Sequence, residues 1–151
     1  MRTPIEHLCF QLENTFEGKP WYGRSLMDIL REIAPDTAHQ VLRGRSILRL
    51  GRHLLAWRVF TLEKLRGNAE YDIEIGGEGD WPSDPGMDWP ALLDALRDNQ
   101  AQLLAALRQF PEANLLERVP GRNFRYSFLL EGVVQHDIYH LGQIALLKQL
   151  L

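Results

Sequence analysis

Three histidines are the residues of this chain best placed to do chemistry together. His53 stands in Arg-His-Leu-Leu-Ala-Trp, while His136 and His140 stand four residues apart in Gln-His-Asp-Ile-Tyr-His-Leu-Gly-Gln-Ile. A spacing of four puts two side chains one turn apart on the same side of a helix, so both imidazoles can reach one metal ion. His53 can supply a third nitrogen from another helix. Three protein ligands leave a coordination position open, which is how catalytic metals are usually held. Burying a histidine costs free energy unless both ring nitrogens find partners. Taken singly, each of the three reads as a satisfied core histidine or a surface one; taken together, they point to metal ligation. Nitrogen ligands suit zinc, nickel, copper and iron alike. His7 and His39 lack this context and read as surface residues.

Other side chains gather around this pattern. His136-Asp137-Ile138-Tyr139-His140 is similar to the His-Glu-x-x-His helix of zinc proteases, with the shorter Asp in place of Glu. Asp137 is therefore either an acceptor behind a ligand or a solvent-facing charge. Gln100 interrupts an apolar line, either as support for a polar centre or at the edge of the buried face. Gly132 and Gly142 fall inside a helical pattern, where glycine costs about 1 kcal/mol relative to alanine. Close approach of another helix, or room for a ligand, would account for each. Arg45, Arg49 and Arg52 fall on roughly one side of their helix, just after Arg43. A solvated face is the ordinary reading of such a cluster; contact with an anionic substrate beside His53 is the sharper one.

Four long helical patterns must position these residues. The first runs from Pro4 to Phe16 with Ile5, Leu8, Leu12 and Phe16 on one stripe; Thr3 is its expected cap, with Pro4 and Glu6 in supporting positions. One short helix follows, capped by Ser25 and ended by Pro35. The second long helix spans Ser46 to just before Gly67, and its stripe is Leu50, His53, Trp57 and Phe60. A loop from Asn68 to Asp88 comes next. Tyr71 to Ile75 alternates there and could pair as a short strand, though an isolated strand is marginal; Trp81 and Trp89 favour an ordered loop. The third helix runs from Pro90 to Phe110 behind Asp88, with Leu93, Leu96, Gln100, Leu103, Leu107 and Phe110 in line. The fourth runs from Tyr126 to the C-terminus with Leu129, Val133, His136, His140, Ile144, Leu147 and Leu151 in line. The predicted fold is all-α: a four-helix bundle with one short extra helix and a long loop between its second and third helices, in a single domain over residues 1–151.

The chain has 151 residues, a formal charge of −3, 45% hydrophobic and 25% charged residues, ordinary values for a globular domain. Cys9 is the only cysteine, so it forms no disulfide framework and reads as a buried thiol. No run approaches the length of a membrane span, and Met-Arg-Thr-Pro-Ile-Glu-His lacks the apolar region of a signal peptide. A cytoplasmic location without a membrane partner is expected.

The strings Gly18-Lys19-Pro20-Trp21-Tyr22-Gly23-Arg24-Ser25-Leu26, His53-Leu54-Leu55-Ala56-Trp57 and His136-Asp137-Ile138-Tyr139-His140-Leu141-Gly142-Gln143-Ile144, in this order, resemble the DinB-like superfamily, also called DinB/YfiT. The resemblance covers nearly the whole chain. It implies a four-helix bundle, often a homodimer, with a metal, usually zinc or nickel, held by three histidines. His53 matches the family's histidine on the second helix, and His136 and His140 match its pair on the last. Relatives include thiol S-transferases that act with bacillithiol or mycothiol, thiol-dependent isomerases, and proteins described as metal-dependent hydrolases.

Two functions compete. One is a metal-dependent enzyme, a thiol transferase or hydrolase acting on a small molecule, with a low-molecular-weight thiol as a cosubstrate. The metal would lower the pKa of a bound thiol or water, Arg49 or Arg52 would bind an anionic cosubstrate, and Trp81 or Tyr22 would close the pocket. The other is a non-catalytic stress-response or structural module whose metal only ties helices together. A nucleic-acid binder built on Arg43 to Arg52 is disfavoured by the acidic balance.

Overall fold

The structure is a computed structural model that describes residues 1–83 and 86–151, so positions 84 and 85 of the expected long loop lie outside the described residues. Its helices are α1 (Pro4–Glu17), α2 (Leu26–Leu30), α3 (Pro35–His39), α4 (Ile47–Leu65), α5 (Trp89–Gln109) and α6 (Tyr126–Leu150), with a 3-10 turn at Glu112–Leu116. The caps follow from local chemistry. Thr3 Oγ1 accepts from the Glu6 amide while the Glu6 carboxylate accepts from the Thr3 amide at 2.8 Å, which satisfies two helix-end donors reciprocally. Ser25, Ser46 and Asp88 cap α2, α4 and α5 through their side chains.

Three local expectations are corrected. Pro35 does not simply end a short helix; it opens α3, so two short helices stand where one was expected. A fixed φ and a missing amide hydrogen suit proline to a first helical turn. Trp89 belongs to α5 rather than to the loop, and its indole donates to the Ile33 carbonyl at 3.0 Å. Tyr71 to Ile75 forms no strand, and among the described residues there are none, only the isolated bridges Leu42–Arg45 and Arg118–Arg125. No neighbouring strand completes a ladder there. Ile73 is buried instead with Phe60 and Val119, and its carbonyl accepts from Arg122 at 2.6 Å.

The four long helices pack on one another: α4 on α5 and α6, and α1 on α5 and α6, with α2 and α3 closing against them. Gly51 lets α4 approach α5, because a Cβ there would lie 2.6 Å from Leu92 Cδ2. Two large apolar clusters fill the interior on either side of the histidines, beside the smaller one around Phe60 and Ile73. One gathers Phe16, Leu26, Leu30, Leu50, Leu54, Leu92, Leu96, Leu141 and Ile144; the other gathers Leu8, Leu12, Leu62, Leu103, Leu107, Leu130 and Val133. Along α5 the residues between the clusters are Asn99 and Gln100; along α6 they are His136, Asp137 and His140; on α4, Arg58 lies between Leu54 and Leu62. A polar layer thus crosses the middle of the apolar interior. Among the described residues, no helix is long and apolar enough to cross a membrane.

Candidate metal centre

His53 from α4 meets His136 and His140 from α6. His53 Nε2 lies 2.9 Å from His136 Nε2 and 3.0 Å from His140 Nε2, and one ligand atom from each residue falls within 4.8 Å of the others. His53 and His140 are buried and His136 half-buried. The four-residue step from His136 to His140 along α6 puts those two rings one turn apart, facing His53 on α4.

The partners of the outer ring nitrogens decide which nitrogens face inward with lone pairs. His53 Nδ1 lies 2.8 Å from the Asp80 carbonyl and 2.9 Å from Asp80 Oδ1. Both partners are acceptors only, so the ring's proton sits on Nδ1 and Nε2 presents a lone pair. His140 Nδ1 lies 2.7 Å from Gln143 Oε1, which places its proton there in the same way. Two lone pairs then face each other across 3.0 Å with no hydrogen between them. A cation shared by the imidazoles removes that conflict, and imidazole donors backed by oxygen acceptors are the pattern that orients metal-binding histidines. The cluster fits a metal ion.

Electrostatics keep the His136 and His140 rings in their ligand form. Burial, reinforced by the neighbouring His140 and His53, lowers the His136 pKa to about 3. Burial also lowers His140, with His53 and Arg45 acting in the same direction and Gln143 opposing them. Asp80 is desolvated, which favours its acid form. The Gly76 amide, the Trp57 indole at 2.7 Å and the His53 and His136 rings outweigh this and hold its carboxylate below the ordinary range. His136 Nδ1 is buried without a hydrogen-bond partner among the described residues.

The polar layer behind the histidines centres on Arg58, which is fully buried. Its Nε donates to Asn99 Oδ1 at 3.2 Å, Nη1 pairs with Asp137 Oδ2, and Nη2 donates to Gln100 Oε1. Gln100 Nε2 reaches the Leu12 carbonyl at 3.2 Å. Gln100 is therefore a buried link between α1, α4 and α5, not the edge of a buried face. Asp137 is buried to 1% exposure, so it is no solvent-facing charge. Its partner is the Arg58 guanidinium, so it is not an acceptor behind a histidine either. Burial pushes its carboxyl up to about 6 even though Arg58 pulls the other way. It stands next to His136 on α6 and ties that helix to α4 through Arg58.

The remaining sequence candidates separate. Trp81 stacks flat on His53, with ring centroids 3.8 Å apart and planes 4° from parallel. Arg49 is exposed and lies over the Trp81 ring at 5.5 Å. Arg52 donates from Nε to the Met87 carbonyl at 3.0 Å and so braces the loop before α5. Tyr22 is exposed and engages Thr15 of α1. Gly132 and Gly142 meet no close helix, since a Cβ at either would find open space; Gly132 instead lines a groove of about 230 Å³ with Trp57, Phe124, Phe128, Val133 and His136.

Sequence reasoning missed Asp80, Gln143, Arg58 and Asn99. Only Gln143 had a legible signal, three residues beyond His140 on the same helix. Asp80 lies in an irregular segment with no period to read. Exchanging it by Asp80→Asn is expected to weaken zinc affinity about 10- to 100-fold while leaving the helical content intact; competition with a chromophoric chelator measures this. Wild-type affinity in that variant would remove Asp80 from the centre.

The family model of the DinB superfamily matches residues 23–144, a span that contains all three histidines. No curated protein and no solved structure gives a match.

Proposed function

The chain belongs to the DinB superfamily, and from that premise we propose that His53, His136 and His140 hold a divalent metal, zinc or nickel, in a single four-helix-bundle domain that acts as a metal-dependent enzyme of thiol-transfer or hydrolytic type. One observation carries this reading. Three donors converge and, among the described residues, no fourth protein donor joins them, whereas structural zinc sites close their shell with four. A bound divalent ion supplies Lewis acidity, lowering the pKa of a thiol or water so that a nucleophile is available near neutral pH. The protein's own residues do the positioning. Asp80 and Gln143 fix the proton positions of His53 and His140, Trp81 holds the plane of His53, and Arg58 with Asp137 locks α6.

The competing reading is a non-catalytic module in which the ion only ties α4 to α6. Both readings expect metal removal to destabilise the fold. Ligand at a hundred times its Kd stabilises by about 2.7 kcal/mol, so chelation should lower Tm by roughly 5–10 °C. Turnover separates them: zinc- or nickel-loaded protein should join a low-molecular-weight thiol to an electrophile, or hydrolyse an ester. Failure with every thiol and ester in a broad panel would leave the module.

A homodimer is also part of the reading. Phe128, Tyr139, Leu146 and Leu150 are exposed along α6, opposite the side carrying Val133 and Ile144, and a helix apolar all round is normally covered. Sedimentation should give a dimer, and Tyr139→Glu a monomer. A wild-type monomer at micromolar concentration would end this part.

A further inference from the structure

The turn before α4 and the first turn of that helix surround a pocket of about 350 Å³, lined by Arg43, Arg45, Ser46, Arg49, Leu50 and Trp81. Leu42 and Arg45 close the turn with two backbone hydrogen bonds of 2.8 and 3.1 Å. Its central residues, Arg43 and Gly44, have φ of 51° and 76°. Glycine adopts such angles freely, but a non-glycine residue there is uncommon and strained. That backbone brings Arg43 and Arg45 to one rim of the pocket while α4 brings Arg49 to another.

Among the described residues, none of these three arginines forms a salt bridge. Glu78, held below its ordinary value by Ser83 and less strongly by Arg49, is already bound by the Ser83 amide and hydroxyl at 2.7 Å each. The pocket also adjoins the histidines. Arg49 lies over Trp81, which lines the pocket, and Trp81 stacks on His53. Guanidinium groups offer forked donors matched to carboxylate and phosphate oxygens, and the pocket is large enough for a small ligand.

We infer that this pocket binds an oxyanion, the carboxylate or phosphate of a small-molecule substrate, and holds that substrate against Trp81 with its remaining part toward the histidines. The direction in which the substrate points rests on the metal-centre reading; the anion site itself does not. Arg52, tied to the loop carbonyl of Met87, is not part of it.

The test is calorimetric titration of the folded protein with inorganic phosphate and, separately, with succinate, in metal-free and zinc-loaded forms. At least one anion should bind, with an affinity that falls as chloride is raised. Arg45→Gln/Arg49→Gln should weaken it about tenfold or more, the loss expected for a charge-assisted contact. Arg45→Glu should abolish it. Zinc stoichiometry, measured in parallel, should stay at the wild-type value in both variants. Phosphate alone binding would identify a phosphorylated substrate, and succinate alone a carboxylate. Binding of neither anion, or equal binding to wild type and variants, overturns the inference. Loss of zinc uptake by wild type with anion binding retained would instead overturn the metal centre and leave the anion site standing.

Discussion

His53→Ala is expected to weaken zinc binding by at least about a hundredfold, more than the loss of an outer hydrogen-bond partner costs. His53 is the hub of the cluster, since its Nε2 lies within 3.0 Å of the Nε2 of both other rings. Its removal leaves a two-nitrogen site on α6 alone and frees Asp80 and Trp81 from their shared partner. The two apolar clusters are untouched, so helical content by circular dichroism should stay at the wild-type level. Zinc affinity is read by competition with a chromophoric chelator. If His53→Ala takes up zinc as wild type does, the three histidines do not form one site.

Arg58→Met is expected to cost about 3–5 kcal/mol, because it leaves a buried carboxylate without its countercharge. Asp137 and Arg58 are both almost completely excluded from solvent, at 1% and 0% exposure. Asp137 Oδ1 already lacks a partner among the described residues, so nothing else stands ready to receive its charge. The dependence on pH has a definite sign. Burial raises the folded-state pKa of Asp137 above its ordinary value, and losing Arg58 raises it further. The folded variant then binds a proton that the unfolded chain has released, so its stability falls as pH rises above the ordinary carboxylate range. Denaturant melts should show a larger deficit at pH 8 than at pH 5.5. Arg58→Met/Asp137→Leu removes both charges and should recover most of the loss, as apolar replacement of buried ion pairs often does. A single variant as stable as wild type at pH 8 would mean that this pair does not hold the layer together.

Asp137 and Gln100 show how far the sequence could be read. Gln100 interrupted an apolar stripe, which left open either support for a polar centre or the edge of the buried face; Asp137 lay off the stripe of its helix, beside His136, and read equally as an acceptor or a solvent-facing charge. Neither position named the partner, because Arg58 lies on a different helix and pairs across 79 residues with Asp137 and 42 with Gln100. The arginine cluster behaved similarly. Its spacing grouped Arg45, Arg49 and Arg52, but the loop carbonyl of Met87 engages Arg52 while the turn before α4 brings Arg43 beside Arg45 and Arg49. A helical period cannot express the path of a turn.

Sequence alone determined the long helices, the caps Thr3 and Asp88 and the inward direction of His53, His136 and His140. Periodicity and capping are local, set by residues within a turn of each other. Tertiary structure alone decided that the three rings share a centre, that Asp80 and Gln143 support them, and that Arg58 crosses the core to Asp137. These contacts depend on how α4 and α6 rotate and slide against each other, and packing of side chains distant in sequence sets that relation.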